Sequence, residues 1–209
     1  MTEDIDHPQI YLITPTEFEL SVFPDLLARC LDATDVACVR LSLATNDEDR
    51  IAKAADSLRL VTHERDVALV IDSHILMVER LGLDGVHLQD SARSVGKVRK
   101  DLGEDAIVGA YCHTSRHDGM TAGELGADYV SFGPAGLSPL GDGRQAGLEL
   151  FEWWSTMIEV PVVAEGALTP DLIRSLAAHT DFFGLADEIW STDNPAKTFA
   201  DLAGVMRSV

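Results

Sequence analysis

Short apolar runs alternate with amphipathic stretches along almost the whole chain. The runs at 67–71, 106–110 and 161–164 carry no polar side chain, and stretches with apolar residues three or four positions apart follow them. A continuous apolar run is typical of a strand buried on both faces, whereas the longer spacing is typical of a helix packed on one face. Because parallel strands are joined by right-handed crossovers, the alternation predicts a parallel sheet with its helices outside.

The predicted elements cover most of the sequence. Strands are expected at 9–14, 36–41, 67–71, 85–88, 106–110, within 126–134, at 161–164 and at 182–186. Helices are expected at about 18–32, from Thr45 or Asn46 to about 63, at 75–81, at about 91–102, from Thr114 or Ser115, around Trp153 and Trp154, from Thr169, and at about 195–207. Five glycines and two prolines between 133 and 147 predict a long connecting loop.

One pattern occurs twice: a glycine, an aspartate and a short apolar run with a polar or glycine-rich end, at 82–88 and 126–134. Its aspartates, Asp84 and Asp128, lie 44 residues apart, and Asp181 follows 53 residues later in a weaker copy. Since one strand–helix unit takes roughly 25 residues, the chain holds about eight units. We therefore predict an α/β fold, a single (β/α)8 TIM barrel spanning residues 1–209.

An open, doubly wound sheet is the structural alternative. It is disfavoured because no Gly-x-Gly-x-x-Gly follows the first strand. In either fold the carboxyl ends of the strands build the functional site.

Composition narrows the function classes. The chain has 35 acidic and 16 basic residues, and its net charge of −19 disfavours nucleic acid and anionic membranes as partners. No apolar run approaches the roughly 20 residues that cross a bilayer, and the amino terminus is acidic. Three cysteines without a C-x-x-C spacing indicate reduced thiols. These features predict a cytoplasmic protein with a small-molecule ligand.

The framework resembles the thiamine phosphate synthase/TenI family of (β/α)8 barrels. The resemblance is carried by Gly-Leu-Asp-Gly-Val-His-Leu at 82–88, Gly-Ala-Asp-Tyr-Val-Ser-Phe-Gly-Pro at 126–134 and Pro-Val-Val-Ala-Glu-Gly at 161–166. It extends from strand 1 to Ile189. The resemblance also implies a homo-oligomer.

The family's synthases join a pyrimidine methyl diphosphate to a thiazole phosphate with Mg²⁺ and expel pyrophosphate. Loss of pyrophosphate requires its charge to be neutralised by cations and metal. The resemblance implies Mg²⁺ ligands at Asp72 and Asp90. It points to substrate-binding positions after strands 2 to 8, at Arg40, Ser42, His74, Gln89, Ser138, Glu165, Gly166 and Asp187. Arg116 and Arg144 are nearby cations that could also bind substrate.

Several of these positions depart from the family pattern. Gln-x-Arg-x-Lys after strand 2 reads Arg-Leu-Ser-Leu-Ala at 40–44, which removes two cations. Ile-Asn-Asp-Arg after strand 3 reads Ile-Asp-Ser-His at 71–74, so the carboxylate stands one residue earlier. Gln-Glu-Asp after strand 4 is shortened to Gln89-Asp90. Adjacent strand positions point to opposite faces, so this shift is expected to turn Asp72 away from the metal.

The later loops differ in charge. Thr-x-Thr-Lys after strand 6 reads Ser-Pro-Leu-Gly at 138–141, and Arg144 with Arg40 and Arg116 could form a relocated anion site. The backbone amides that hold phosphate in the family correspond to Gly166–Leu168 and Ala186–Glu188 here. Three carboxylates, Glu165, Asp187 and Glu188, accompany these amides and are expected to oppose an anion.

His113 follows strand 5, where the TenI-type tautomerases carry an acid/base histidine. A histidine with a pKa near neutrality can move a proton between ring and exocyclic positions. His113 is therefore the candidate catalytic residue, with helix capping as the alternative explanation.

Three functions follow from the resemblance and its departures. The first is the family's synthase with a rearranged anion site, and the second is a tautomerase that uses His113. The third is a non-catalytic or repurposed barrel whose pocket no longer selects phosphate. On the residues alone, the third or a changed substrate fits better than the unmodified synthase reaction.

Overall fold

Eight parallel strands pair in sequence order and close on themselves in the computed structural model, which describes residues 7–137 and 143–209. The strands are β1 (Gln9–Ile13), β2 (Cys38–Leu41), β3 (Ala68–Asp72), β4 (Gly85–Leu88), β5 (Ile107–Tyr111), β6 (Tyr129–Phe132), β7 (Val162–Glu165) and β8 (Phe182–Leu185). β1 pairs with both β2 and β8, so the predicted (β/α)8 barrel is confirmed.

Helices follow each strand and cover the outside of the barrel. They are α1 (Phe23–Ala33), α2 (Glu48–His63), α3 (Ile75–Leu81), α4 (Val95–Leu102), α5 (Arg116–Glu124), α6 (Leu148–Met157), α7 (Pro170–Leu176), α8 (Asp187–Trp190) and α9 (Pro195–Met206). A 3₁₀ turn, Ala177–His179, extends α7. Within 7–137 and 143–209, no helix is long and apolar enough to span a membrane.

The strands divide the apolar residues into two layers. Outward residues such as Leu12, Val39 and Leu69 pack against the helices in one large cluster. Inward residues form a smaller cluster inside the barrel: Tyr11, Ile13, Cys38, Val70, Tyr129 and Val163. A Cβ at Gly109 would lie 2.0 Å from Cζ of Tyr129, so glycine on β5 makes room for that ring.

The repeated aspartates perform the same structural task three times. Each precedes an even-numbered strand and accepts a hydrogen bond from a backbone N–H at the start of the preceding strand. Asp84 accepts from Leu69 N at 2.7 Å, and Asp128 accepts from Val108 N at 2.7 Å. Asp181 accepts from Val162 N at 2.8 Å. The repeat therefore fastens strands at the amino-terminal end of the barrel, opposite to the end where functional sites of this fold are built.

Several boundaries differ from the prediction for identifiable reasons. α1 begins at Phe23 rather than near 18, with a proline in its first turn. α2 is capped by Asp47, whose carboxylate accepts from Asp49 N and Arg50 N, rather than by Thr45 or Asn46. α4 begins at Val95 rather than near 91. Ser115 and Thr169 cap their helices as predicted.

Candidate active site

Three strands end on a polar residue that the sequence analysis placed just beyond the strand. Asp72, Tyr111 and Glu165 are the last residues of β3, β5 and β7. Because they belong to strands, their orientation follows the alternation of the residues before them. All three therefore lie at the carboxyl end of the barrel, where active sites of this fold are built.

Arg40 crosses the inside of this end and meets two carboxylates. Its side chain is 6% exposed, and Nη1 donates to Glu165 Oε2 at 2.9 Å while Nη2 donates to Oε1 at 3.5 Å. Its Nε lies 3.5 Å from Asp72 Oδ1. Burial opposes the charge, but Glu165 and Asp72 together raise the pKa of Arg40. The guanidinium is therefore charged and already paired with two carboxylates.

Asp72 thus points into the barrel, which corrects the expectation that it would turn away. β3 continues through this residue, and Ala68, Val70 and Asp72 alternate on the inward face. Gln89, just after β4, donates from Nε2 to Asp72 Oδ1 at 3.2 Å. His74 contacts the same residue through Nδ1, which lies 2.6 Å from the Asp72 carbonyl oxygen. The predicted residues after β3 and β4 are therefore adjacent in space.

A chain of buried hydroxyls and one imidazole lies inside the barrel with Arg40. The Tyr11 and Tyr129 hydroxyls are 2.6 Å apart, and the Tyr129 hydroxyl is 2.9 Å from Nδ1 of His87. Burial, and then the charge of Arg40, lower the pKa of His87 well below its ordinary value. His87 is therefore neutral. In the described residues, His87 Nε2 and Ser131 Oγ are buried without a hydrogen-bond partner.

His113 lies outside this interior, on the loop after β5. It is exposed, its φ is 52°, and its ring centroid is 4.4 Å from that of Tyr111. Tyr111 itself donates to the Gly133 carbonyl at 2.8 Å, and burial raises the pKa of its hydroxyl to about 12, with Glu165 adding to the effect. Since Tyr111 is held in place, it gives the His113 ring a fixed surface at the mouth of the barrel.

A groove runs between the loops after β4 and β5, beside His113. Its lining includes Gln89, Asp90, Arg93 and Asp118. Asp90 accepts a hydrogen bond from the Ser94 hydroxyl at 2.6 Å. Arg93 is an exposed cation that the sequence analysis missed, because its position follows no pattern beyond its place in a loop after a strand.

The described residues offer carboxylate ligands for magnesium but no complete metal site. Across 7–137 and 143–209, no three His, Cys, Asp or Glu side chains form a preformed metal cluster. Mg²⁺, however, is commonly held by one or two carboxylates together with substrate phosphates. Asp72 and Asp90 supply carboxylates at the carboxyl ends of adjacent strands, so the donor set suits a metal that arrives with a diphosphate.

The two carboxylates nearest the family's phosphate position behave differently from the expectation. Glu165 does not add unpaired negative charge to Gly166, because it is buried against Arg40. Glu188 instead accepts from Leu168 N through Oε1 and from Ala186 N through Oε2, both at 2.8 Å. Asp187 is exposed. The amides of Leu168 and Ala186 thus already hold a carboxylate supplied by the chain.

Arg116 and Ser42 each make contacts with neighbouring elements. Arg116 lies over the Trp153 ring at 4.7 Å and donates to the Glu149 carbonyl, so it packs against α6. Ser42 N donates to the hydroxyl of Thr14 at 3.0 Å, which ties the loops after β1 and β2. Ser138 lies outside the described residues, and Arg144 lies inside them with a contact of its own. The structure therefore does not gather Arg40, Arg116 and Arg144 into one anion site around Arg40.

Comparison with known proteins decides the family. The family described as thiamine monophosphate synthase matches residues 10–185, most of the barrel. The chain belongs to this family. Thiamine-phosphate synthase from Rhodospirillum centenum is 40% identical over 204 residues, covering 95% of this chain and 98% of that one. The protein of the same name from Erythrobacter litoralis is 39% identical over 194 residues, covering 90% and 91%.

Solved structures agree on the fold. Thiamine phosphate pyrophosphorylase from Pyrococcus furiosus superposes with a TM-score of 0.82 at 20% identity, covering 96% of both chains. A geranylgeranylglyceryl phosphate synthase from Thermoplasma acidophilum superposes with a TM-score of 0.73 at 15% identity, covering 97% and 94%. At such identities the likeness shows the barrel and nothing finer.

Proposed function

We propose that this chain performs the thiamine-phosphate synthase type of reaction. The full-length similarity to synthases at 39–40% identity carries the proposal. In this reaction the ring nitrogen of a thiazole forms a bond to the exocyclic methylene carbon of a pyrimidine diphosphate. The bond from that carbon to the diphosphate oxygen breaks, and pyrophosphate leaves with the electron pair.

The diphosphate is proposed to bind over β3, β4 and the groove beside β5. Mg²⁺, held by Asp72 and Asp90, would neutralise charge on the departing pyrophosphate. Arg93 is exposed in the same groove and supplies a further positive charge. The arrangement supports this site because it combines hard oxygen ligands with a cation, as an anionic leaving group requires.

Arg40 is proposed to position Asp72 rather than to bind the diphosphate. Its guanidinium already faces Glu165 and Asp72, so one positive charge is shared by two negative ones. Gln89 Nε2 donates to Asp72 Oδ1, the same oxygen that Arg40 Nε approaches to 3.5 Å. A carboxylate held in this way presents its second oxygen in a defined direction, which favours metal binding.

The synthase proposal is tested with purified protein, a pyrimidine methyl diphosphate, Mg²⁺ and either a thiazole phosphate or the corresponding thiazole alcohol. The coupled product and pyrophosphate are expected in equal amounts. Omission of Mg²⁺ should abolish both. Failure of the folded protein to form coupled product with either acceptor would refute the proposal.

The TenI-like tautomerase is the second candidate, and the exposed position of His113 on Tyr111 supports it. Proton exchange on a thiazole carboxylate phosphate should then occur and should be lost in His113→Ala. His117→Ala, which changes another exposed histidine at the same end of α5, is the matched control. Absence of exchange in the unmodified protein would eliminate this function.

The non-catalytic barrel remains the third candidate, since Glu188 occupies amides that hold phosphate in the family. It predicts that neither coupling nor proton exchange takes place.

We also propose a cytoplasmic location, because Cys30, Cys38 and Cys112 are all unpaired and buried thiols.

A further inference from the structure

Arg40 lies one layer deeper in the barrel than the two carboxylates that it contacts. Its backbone pairs with Ile13 on β1 and with Val70 on β3, two residues before Asp72. Asp72 and Glu165 are the last residues of their strands. Because inward side chains of alternate strands stack in layers in this fold, the guanidinium reaches both carboxylates from the interior, toward the mouth.

The two contacts of Arg40 are unequal. Nη1 donates to Glu165 Oε2 at 2.9 Å, whereas Nε stays 3.5 Å from Asp72 Oδ1. Within 7–137 and 143–209, this Nε is a buried donor without a hydrogen-bond partner. Burial alone would lower the pKa of Arg40, but the charge of Glu165, and then that of Asp72, raises it. Glu165 therefore holds the guanidinium short of a full contact with Asp72.

The barrel makes room for Glu165 at this place. β8 lies between β7 and β1, and it carries Gly184 opposite Glu165. A Cβ on Gly184 would lie 2.8 Å from the Cβ of Glu165, which is closer than side chains pack. Glycine on β8 thus lets the carboxylate lie across that strand toward Arg40 on β2. The ion pair is therefore built into the interior and is not a contact between solvated side chains.

The position of Arg40 decides how much of the Asp72 carboxylate is available to a ligand. Gln89 Nε2 donates to Oδ1 at 3.2 Å, and the approach of Arg40 Nε is to the same oxygen. A guanidinium released toward Asp72 would bind through two parallel N–H groups, the geometry that arginine favours with a carboxylate. Such a pair would engage both oxygens and compete with a metal ion for them.

We propose that Glu165 is a positioning residue that preserves the metal affinity of Asp72 by restraining Arg40. The inference rests on the proposed function, which assigns Asp72 to the Mg²⁺ of that reaction. Glu165 itself binds neither the metal nor the substrate. Its charge neutralises that of Arg40, so Asp72 keeps its own charge for a divalent cation.

The first test uses Mn²⁺ and needs no activity. Mn²⁺ takes oxygen ligands as Mg²⁺ does, and it broadens the NMR signals of nearby nuclei. The backbone amide signals of Asp72 and Gln89 therefore report binding at this site in the full chain. The unmodified protein should show saturable broadening that Mg²⁺ reverses. Glu165→Gln should raise the dissociation constant about tenfold or more, the usual cost of losing a group that supports a metal ligand.

A second substitution distinguishes positioning from a structural role. Arg40→Gln combined with Glu165→Gln removes the guanidinium that would turn to Asp72. This double variant should bind Mn²⁺ more tightly than Glu165→Gln alone, whereas a merely structural role predicts no recovery. Glu17→Gln removes one negative charge from an exposed position on the loop after β1, and it should leave the dissociation constant unaltered.

Unchanged Mn²⁺ binding in Glu165→Gln would overturn the inference, as would a double variant that binds no more tightly than Glu165→Gln. Absence of saturable broadening at Asp72 and Gln89 in the unmodified protein would also overturn it. If Glu165→Gln does not fold, Glu165→Asp takes its place, because the shorter side chain withdraws the carboxylate from Arg40 while keeping the charge. It should also weaken Mn²⁺ binding, and undiminished binding would count against the inference.

The coupling assay separates the role of Glu165 from the synthase proposal. Glu165→Gln should need more Mg²⁺ for half-maximal rate and should approach the kcat of the unmodified protein at saturating Mg²⁺. A kcat that stays low at saturating Mg²⁺ would contradict a role that acts through the metal. If the unmodified protein forms no coupled product while Mn²⁺ binding follows the expected order, the synthase proposal fails and the role of Glu165 stands.

Discussion

Arg40 and Glu165 form a buried ion pair across the mouth of the barrel, with Nη1 and Oε2 2.9 Å apart. The two residues lie on β2 and β7, so the pair spans strands that are not neighbours. A charged guanidinium with two carboxylates fixes the geometry around Asp72, and the synthase proposal depends on that geometry.

Breaking this pair should destabilise the fold. Glu165→Gln leaves Asp72, 3.5 Å from Nε, as the remaining carboxylate against Arg40 in the described structure. We expect the free energy of unfolding to fall by about 3 kcal/mol, the lower end of the cost of an uncompensated buried pair. Urea unfolding measures this change.

A double-mutant cycle is the control for the predicted loss of stability in Glu165→Gln. Arg40→Met combined with Glu165→Gln should cost less than the two single changes added together, since neither charge is then left alone. Additive losses would show that the two side chains do not stabilise each other.

The carboxylates proposed for magnesium predict a change in metal dependence. Asp72→Asn or Asp90→Asn should raise the Mg²⁺ concentration for half-maximal activity by about tenfold or more, because a hard oxygen ligand is lost. Steady-state assays over a Mg²⁺ titration measure this concentration. Asp105→Asn makes the same substitution before β5, at the opposite end of the barrel, and should leave the metal dependence unaltered. Unchanged metal dependence in both Asp72→Asn and Asp90→Asn would remove these residues from the metal site.

The buried neutral His87 predicts a pH dependence of stability. Its pKa in the folded protein lies well below 6.5 because of burial and the charge of Arg40. Below pH 6.5 the unfolded chain therefore binds a proton that the folded chain does not, so stability falls as the pH falls. His87 should contribute a loss of about 1.4 kcal/mol per pH unit below that point.

The contribution is isolated by comparison with His87→Gln. The unfolding free energy of the unmodified protein minus that of the variant should decrease between pH 6.5 and pH 5. A difference that stays constant over this range would contradict a buried neutral imidazole.

The repeated aspartates predict a structural and not a catalytic effect. Asp181→Ala leaves the buried Val162 N–H without its acceptor and should cost about 1–3 kcal/mol of unfolding free energy. Asp171→Ala, at an exposed position in the first turn of α7, should have no measurable effect in the same chemical denaturation experiment. Equal effects of the two substitutions would show that the backbone contact of Asp181 contributes little.

The scaffold could be predicted from the sequence because its signals are local. Apolar runs, caps such as Ser115 and Thr169, and the spacing of Asp84 and Asp128 each reflect a nearby physical requirement. The aspartate repeat is likewise structural, because each aspartate accepts a hydrogen bond from the backbone of the preceding strand.

The site was harder to predict because its contacts join distant parts of the chain. Arg40 and Glu165 are 125 positions apart, so the sequence could indicate a carboxylate near the phosphate amides but not its buried cation. Asp72 was assigned to the wrong face because strand alternation was applied across residues 72 and 73, whereas β3 ends at Asp72 and Ser73 has a φ of 56°. Glu188 was read as a repelling charge, whereas the structure shows it bound to the amides themselves.

The most direct test of the account is the coupling reaction of the unmodified protein with a pyrimidine methyl diphosphate, Mg²⁺ and a thiazole acceptor. The account predicts coupled product and pyrophosphate in equal amounts. A folded protein that forms no coupled product with either acceptor would contradict it.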